Sequence, residues 1–110
     1  MAAFVKGEVV VLPFPYTDLS TTKRRPALIV AVLDRNDVIL CPITTQVGRD
    51  RDAILLASSD FQHGSLQQKS SVRPDHLLTA DEGLILYRVG AINPTKMAEV
   101  TAALVRILTR

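Results

Sequence analysis

Residues Lys23–Leu33 read KRRPALIVAVL: three consecutive cations, a proline, and then seven apolar residues. Such an apolar run without polar alternation is typical of a strand that is buried on both faces. The cations beside it either protect the strand against aggregation or include an arginine that the strand holds where an anion has to be bound. Arg25 is the candidate, because a residue before a proline is restricted to extended backbone. A guanidinium fixed in this way can bind a phosphate through two parallel hydrogen bonds.

The neighbouring segments predict a β-rich chain around this strand. GEVVVL at Gly7–Leu12 is expected to form a first strand that ends at Pro13 and Pro15, since proline cannot donate to a ladder. Asp37–Ile43 is a second uninterrupted apolar run, and the intervening DRND is suited to a hairpin turn. Together the two apolar runs are expected to form the centre of the sheet.

Shorter strands and two polar loops are expected around this centre. The strands are predicted at Ala53–Ser58 and Tyr87–Ile92. The loops are predicted at residues 13–23 and 44–52, which are rich in Pro, Asp, Ser, Thr and Gly. Because long loops in a compact domain tend to be functional, the first loop marks a candidate functional region.

Two periodic segments occupy the C-terminal half. In Ser65–Asp75 polar and apolar residues alternate, which predicts a half-exposed strand with Lys69 and Arg73 on its polar face. Asn93 and Pro94 are suited to the N-cap and the first position of a helix. The apolar stripe of that helix, which would pack against the sheet, consists of Met97, Val100, Leu104, Ile107 and Leu108.

Composition narrows the class of protein. The 110 residues are enough for one domain (1–110) with its own core. Because aromatic residues make up only 5% and Trp is absent, a base-stacking RNA-binding module is disfavoured. Cys41, the single cysteine, lies in an apolar run and is expected to be a core residue rather than a catalytic thiol. We expect a soluble cytoplasmic protein without metal, cofactor or membrane segment.

The net charge is only +2, but the cations are grouped. The groups are Lys23–Arg25, Arg49 with Arg51, and Lys69 with Arg73. Such clusters can steer a polyanion, or they can form an ordinary solvated surface.

Two further pairs of residues could carry chemistry. Thr44 and Thr45 follow an apolar run, where their hydroxyls could donate to a phosphate oxygen, although threonine is also a common strand residue. Arg73 and Asp75 lie two positions apart and could share a face. Asp75 would then be either a base or only the arginine's structural partner.

The two histidines are not expected to take part. His63 is expected in a solvent-exposed loop. His76 follows Asp75, so a period of two would point it away from the face shared by Arg73 and Asp75.

In their order along the chain, these segments resemble the MazF/PemK-like toxins of bacterial type II toxin–antitoxin systems. The resemblance rests on GEVVVLPFPYTDLSTTKRRPALIV, PITTQ and SVRPDHLLT, and it spans nearly the whole chain. Its most specific parts are the G-E-V opening, the R-P that begins the second strand, the I-T-x-Q after the third, and the later V-x-x-D element.

The resemblance implies a mainly β fold, namely an SH3-like β-barrel of the CcdB-like type with a C-terminal helix, in a homodimer. It also implies a metal-independent, sequence-selective endoribonuclease that cuts single-stranded RNA, inhibits growth and is neutralised by a cognate antitoxin. The family motifs map the catalytic positions onto Arg25, Thr44, Arg73 and Asp75. The residues expected to bind RNA are Lys23, Arg24, Thr45, Gln46 and Lys69.

The implied reaction is attack by an RNA 2′-OH on the adjacent phosphate, giving a 2′,3′-cyclic phosphate and a 5′-OH. Asp75 could accept the 2′-OH proton, and Thr44 would orient the phosphate. An arginine would stabilise the charge that grows on the phosphoryl oxygens. The sequence does not distinguish whether Arg25 or Arg73 stabilises this charge.

The chain departs from the PemK branch of the family in one respect. That branch carries a histidine in the loop before R-P, whereas Leu19 or Ser20 falls there in this chain and no histidine precedes His63. Two other functions are alternatives. A gyrase poison of the CcdB type shares the fold but uses a C-terminal tryptophan, which is absent here. The other is a catalytically silent module in antitoxin or transcriptional complexes.

Overall fold

A computed structural model describes residues 3–15, 22–46 and 51–110. These ranges form eight strands and a C-terminal helix joined partly by short 3-10 turns, which confirms the predicted mainly β fold. The elements are β1 (Glu8–Pro15), β2 (Thr22–Val32), β3 (Asp37–Thr44), β4 (Ile54–Leu56), β5 (Phe61–Gly64), β6 (Ser70–Val72), β7 (Leu78–Asp81), β8 (Tyr87–Ile92) and α1 (Pro94–Thr109). Among the described residues, no helix has both the length and the apolar character needed to cross a membrane.

The strands form one antiparallel sheet that curls into a half-barrel. Their order is β4-β6-β3-β2-β1-β8-β5, and β7 also pairs with β3. In β3, Asp37–Leu40 pair with β7, whereas Ile43 and Thr44 pair with β6. β3 therefore changes partner between Leu40 and Ile43.

The centre of the sheet is buried on both faces, as the uninterrupted apolar runs predict, but Val32 and Leu33 at the end of the first run are exposed. In β2, Leu28 belongs to an apolar cluster that includes Val100 of α1. Its neighbours Ala27 and Ile29 belong to a second cluster, formed with residues of β1, β3 and β7. Alternate residues of β2 thus point to opposite faces of the sheet, as the strand geometry requires.

β1 runs through two prolines, so its predicted end at Leu12 is wrong. Pro13 and Pro15 both pair with β2. On the other side of β1, the Val11 carbonyl accepts a hydrogen bond from Leu86 N–H at 2.8 Å. In a strand, the backbone N–H and C=O groups of every second residue point to the same side, so the positions where Pro13 and Pro15 lack an N–H face the same side as the Val11 carbonyl. β8 pairs with β1 only as far as Val11, so it no longer pairs with β1 at the two prolines.

Two predicted loops fall partly outside the described residues. Residues 16–21 lie there, including Leu19 and Ser20, the positions of the absent PemK-branch histidine. Residues 47–50 lie there too, and with them Arg49.

The strand predicted over Ser65–Asp75 is wrong in extent and in exposure. Only Ser70–Val72 form a strand, and all three residues are buried because β6 lies between β3 and β4. Lys69 and Arg73 flank this short strand and do not form a common polar row. Pro74 begins a 3-10 turn instead of continuing the strand.

The remaining boundaries agree in part with the sequence. The strand Tyr87–Ile92 and the turn in DRND are confirmed, the turn with positive φ at Arg35 and Asn36. The strand predicted at Ala53–Ser58 is shorter, Ile54–Leu56. β5 and β7 were not predicted, and His63 is exposed within β5 rather than in a loop.

The C-terminal helix begins as predicted. The Asn93 side chain accepts a hydrogen bond from Lys96 N–H at 2.8 Å, and Pro94 takes the first helical position. Val100 is buried, but Leu108 is 71% exposed, so the predicted stripe is wrong at its end. The reason is that the cluster packed against α1 reaches only to Leu104, and Leu108 lies one turn beyond it.

Candidate active site

The register of β2 and β3 aligns Arg25 with Thr44. Ala27 pairs with Pro42, and Leu28 with Cys41. Continuing this register by two residues puts Arg25 opposite Thr44, and both lie on the face of the sheet that carries Ala27. Arg25 and the proline after it thus lie in a strand whose position is fixed by its buried centre, as the sequence of Lys23–Leu33 predicts.

Arg73 joins the same face from the neighbouring strand. β6 pairs Ile43 with Val72 and Thr44 with Ser71. The next residue, Arg73, donates its backbone N–H to the Pro42 carbonyl at 2.8 Å. Alternation along the strand turns the Arg73 side chain toward the face of Thr44.

These three residues line one pocket of about 190 Å³. We call it the Arg25 pocket; its described lining residues are Arg25, Pro42, Ile43, Thr44, Thr45, Gln46 and Arg73. The Nε atom of Arg25 is buried. Two guanidinium groups, two hydroxyls and an amide, with no carboxylate among the described lining residues, make a site suited to a phosphate.

The Thr44 hydroxyl is oriented by a backbone N–H two residues further along the chain. Its Oγ1 accepts a hydrogen bond from Gln46 N–H at 3.1 Å. Since a hydroxyl carries one donor in addition to its acceptor lone pairs, the proton of Thr44 can be donated to an anion in the pocket.

Asp75 is close to the pocket but is not among the residues that line it. It lies in the 3-10 turn Pro74–His76, which follows Arg73 directly. Its Oδ2 atom is 3.6 Å from Nε2 of His76. Of the four predicted catalytic residues, the structure therefore brings together Arg25, Thr44 and Arg73, with Asp75 beside them.

His76 lies next to Arg73, contrary to the prediction that it points away. Nη2 of Arg73 and Nε2 of His76 are 2.6 Å apart. The physical reason is the 3-10 turn, in which residues three apart lie on the same side, whereas a strand would have separated them. The Pro-Asp pair was the available signal, because it favours a turn over a strand.

Cys41 does not contribute a nucleophile. It is fully buried in the core cluster. Burial raises the pKa of its thiol to about 12, and the negative charge of Asp75 adds to this. The thiol is therefore protonated at neutral pH, which agrees with its predicted role in the core.

The predicted RNA-binding residues are distributed over several surfaces. Arg24 lines a second, larger depression of about 500 Å³ on the opposite side of β2 from Arg25. We call it the Arg24 groove; its described lining residues include Arg24, Pro26, Thr45, Gln67, Gln68 and Tyr87. Thr45 lines both surfaces and connects them, while Gln46 lines only the Arg25 pocket. Lys23 is exposed at the start of β2, and Lys69 lines a separate pocket beside Leu66.

The family model of PemK-like, MazF-like toxins of type II toxin–antitoxin systems matches residues 5–108. The chain belongs to this toxin family. No curated protein shows significant sequence similarity to this MazF-like chain.

Solved structures of similar fold agree with this assignment. One is an endoribonuclease in complex with its cognate antitoxin from a mycobacterial species, with a TM-score of 0.75 and 21% identity over 98% of this chain and 95% of that one. Another is a MazE–MazF complex from Deinococcus radiodurans, with a TM-score of 0.74 and 22% identity over 94% of each chain. A third is the toxin MazF-mt6 of Mycobacterium tuberculosis, with a TM-score of 0.72 and 18% identity over 92% of this chain and 95% of that one. At these identities the likeness concerns the fold, and it confirms the predicted MazF-type fold.

Proposed function

We propose that this MazF-like chain is an endoribonuclease that cuts single-stranded RNA at selected sequences without a metal ion and thereby inhibits growth in the cytoplasm. The observation that carries the proposal is the Arg25 pocket. Arg25 of β2, Thr44 of β3 and Arg73, which directly follows β6, line one small pocket at the end of β3. Membership of the toxin family and a fold shared with a structure described as an endoribonuclease support the same function.

The pocket supports a transesterification at one phosphate. The 2′-oxygen of the RNA forms a bond to phosphorus as its proton passes to a base, and the bond from phosphorus to the 5′-oxygen breaks. The 5′-oxygen takes up a proton, so the products are a 2′,3′-cyclic phosphate and a 5′-OH. The chain has to provide a base, a clamp for the phosphoryl oxygens and a way to orient the phosphate.

The residues of the pocket divide these tasks by their chemistry. Arg25 and Arg73 hold positive charge at any relevant pH, so they stabilise the charge that grows on the phosphoryl oxygens. The Thr44 hydroxyl, already fixed by Gln46 N–H, donates to one of those oxygens. Asp75 is the proposed base, because its turn starts at the wall of the pocket that Arg73 forms.

Sequence selectivity is assigned to the Arg24 groove. Its lining includes the side-chain amides of Gln67 and Gln68, which can pair with base edges, and Tyr87, whose side chain is exposed and can stack on a base. Thr45 connects this groove to the Arg25 pocket. One RNA strand could thus keep its reacting phosphate on one side of β2 and its neighbouring bases on the other.

The proposal includes two protein partners. One is a cognate antitoxin whose acidic, partly disordered tail places carboxylates in the Arg25 pocket and blocks it. The other is a second copy of this chain in a homodimer. Complexes with antitoxins are known for proteins of this fold, as in the mycobacterial structure.

The test is a cleavage assay with purified protein, single-stranded RNA and an excess of EDTA. The expected result is cleavage at a limited set of sequences, with fragments that carry a 2′,3′-cyclic phosphate and a 5′-OH. A 5′-OH is recognised by direct phosphorylation with a kinase, without prior phosphatase treatment. RNA that stays intact under all conditions would contradict the proposal and would favour the catalytically silent module.

A further inference from the structure

The contact between Arg73 and His76 specifies the protonation of the histidine. A guanidinium has five donors and no acceptor, so in the 2.6 Å contact Nε2 of His76 must accept. An imidazole nitrogen that accepts carries no proton. The ring is therefore neutral, with its proton on Nδ1.

A second partner lies near the same nitrogen. Oδ2 of Asp75 is 3.6 Å from Nε2 of His76, too far for a hydrogen bond in the neutral state. If Nε2 gains a proton, it can no longer accept from Arg73, and the like charges repel. The protonated ring would then pair with Asp75, as an ion pair between the two residues of one turn.

We propose that neutral His76 is a positioning residue that holds the Arg73 guanidinium in the Arg25 pocket, and that its protonation releases Arg73 and engages Asp75. Both consequences lower the rate of cleavage at acid pH: the clamp loses a fixed donor, and the proposed base acquires a cationic partner. This inference rests on the proposed endoribonuclease function for its effect on rate. The contact itself does not depend on that function.

Among the described residues, the charged side chains that contact the His76 ring are Arg73 and Asp75. The elements packed against Pro74–His76 are β3 and α1. Their ionisable side chains, with the C-cap of α1, are Asp37, Cys41, Lys96, Glu99, Arg106 and Arg110. Lys96 is paired with Glu99 and Asp60, and Arg110 with Asp52. The His76 side chain is itself 48% exposed, so protons reach it from solvent.

The kinetic test compares two substitutions at this position. In His76→Gln the amide Oε1 can replace Nε2 as an acceptor for Arg73 at every pH, whereas His76→Leu removes the acceptor. At pH 7.5 we expect kcat of His76→Gln within about threefold of wild type and kcat of His76→Leu about tenfold lower, with KM little changed.

The pH profile separates positioning from a merely structural role. As the pH is lowered from 8 to 5, wild-type kcat should fall with a step that both variants lack. If that step persists in either variant, or if His76→Gln and His76→Leu have the same kcat at pH 7.5, the inference is wrong.

A spectroscopic test of the contact is independent of RNA cleavage. Long-range ¹H–¹⁵N correlation spectra report which ring nitrogen of each histidine is protonated, and a His63→Gln variant assigns the two rings. At pH 8 we expect the Nδ1–H tautomer for His76 in wild type and a mixture of tautomers in Arg73→Ala. An Nε2–H tautomer in wild type would overturn the inference even if RNA is cut. An Nδ1–H tautomer in a protein that never cuts RNA would overturn only the proposed function and, with it, the effect of His76 on rate.

Discussion

Replacing Thr44 by valine tests two roles of one hydroxyl, which unfolding and cleavage measurements report separately. Oγ1 accepts from Gln46 N–H at 3.1 Å at an exposed position, and we propose that its proton is donated to a phosphoryl oxygen. Valine keeps the shape of the side chain and removes both interactions. The structural cost should be small, because an exposed neutral hydrogen bond contributes about 0.5–1 kcal/mol and valine suits a strand.

The catalytic cost of Thr44→Val should be larger. Removing one donor to a developing oxyanion lowers kcat by roughly 10²–10³-fold in well-enclosed sites. The Arg25 pocket is lined by the exposed Thr45 and Gln46 and holds two cations that remain. We therefore expect a smaller loss of kcat than in such sites, about 10- to 100-fold, which corresponds to about 1.4–2.7 kcal/mol of activation free energy.

The assay is single-turnover cleavage of a fluorogenic RNA in EDTA, together with urea unfolding of each variant. Thr44→Ser keeps the hydroxyl and should retain most of the rate. Thr79→Val, at an exposed threonine of β7, controls for the loss of a hydroxyl elsewhere in the sheet. Wild-type cleavage by Thr44→Val, or an equal loss in Thr44→Ser, would refute the proposed role of the hydroxyl.

Two further predictions concern stability. A Cβ at Gly90 would overlap the His63 carbonyl oxygen and lie 2.9 Å from Gly64 Cα, so Gly90→Ala must separate β5 from β8. We expect the free energy of unfolding in urea to fall by about 2–3 kcal/mol. Gly83→Ala is the matched control, because the nearest atom to its Cβ is a carboxylate oxygen of the exposed Asp81 at 3.1 Å and not a backbone atom of another strand. A loss in Gly90→Ala as small as in this control would contradict the packing of the two strands. For Cys41, burial raises the pKa of the thiol to about 12, so its contribution to stability is fully present below pH 9 and is lost as pH rises toward 12. Relative to Cys41→Ala, the free energy of unfolding of wild type should fall by about 1.4 kcal/mol per pH unit above pH 9. A difference in free energy of unfolding between the two proteins that stays constant from pH 8 to 10.5 would argue against a buried neutral thiol.

Some of the site could be predicted from the sequence because its geometry follows from strand pairing. Arg25 precedes a proline in a strand with a buried centre, and Thr44 ends the next strand of the same hairpin. A two-strand hairpin with a short turn brings the far ends of its strands together, so the approach of these two residues could be predicted from the sequence. Their exact register could not, because a bulge between Ile29 and Ala31 shifts the pairing by one residue.

The rest of the site depends on a departure from regular strand geometry. Arg73 and His76 meet because Pro74 starts a 3-10 turn, whereas a period of two through Ser65–Asp75 predicts that they diverge. Burial of β6 between two strands also had no local signal, since its two serines look like surface residues. Such features are set by tertiary pairing, which a local pattern does not record.

The most direct test of the central claim compares Arg25→Ala with Arg24→Ala. The two residues are neighbours of equal charge on opposite faces of β2, so loss of charge alone cannot distinguish them. With single-stranded RNA in EDTA, we predict that kcat of Arg25→Ala falls by at least about 100-fold. Arg24→Ala should keep kcat within about threefold, raise KM and lower the salt dependence of binding. Equal losses of kcat in the two variants, or wild-type cleavage by Arg25→Ala, would contradict an active site built around Arg25.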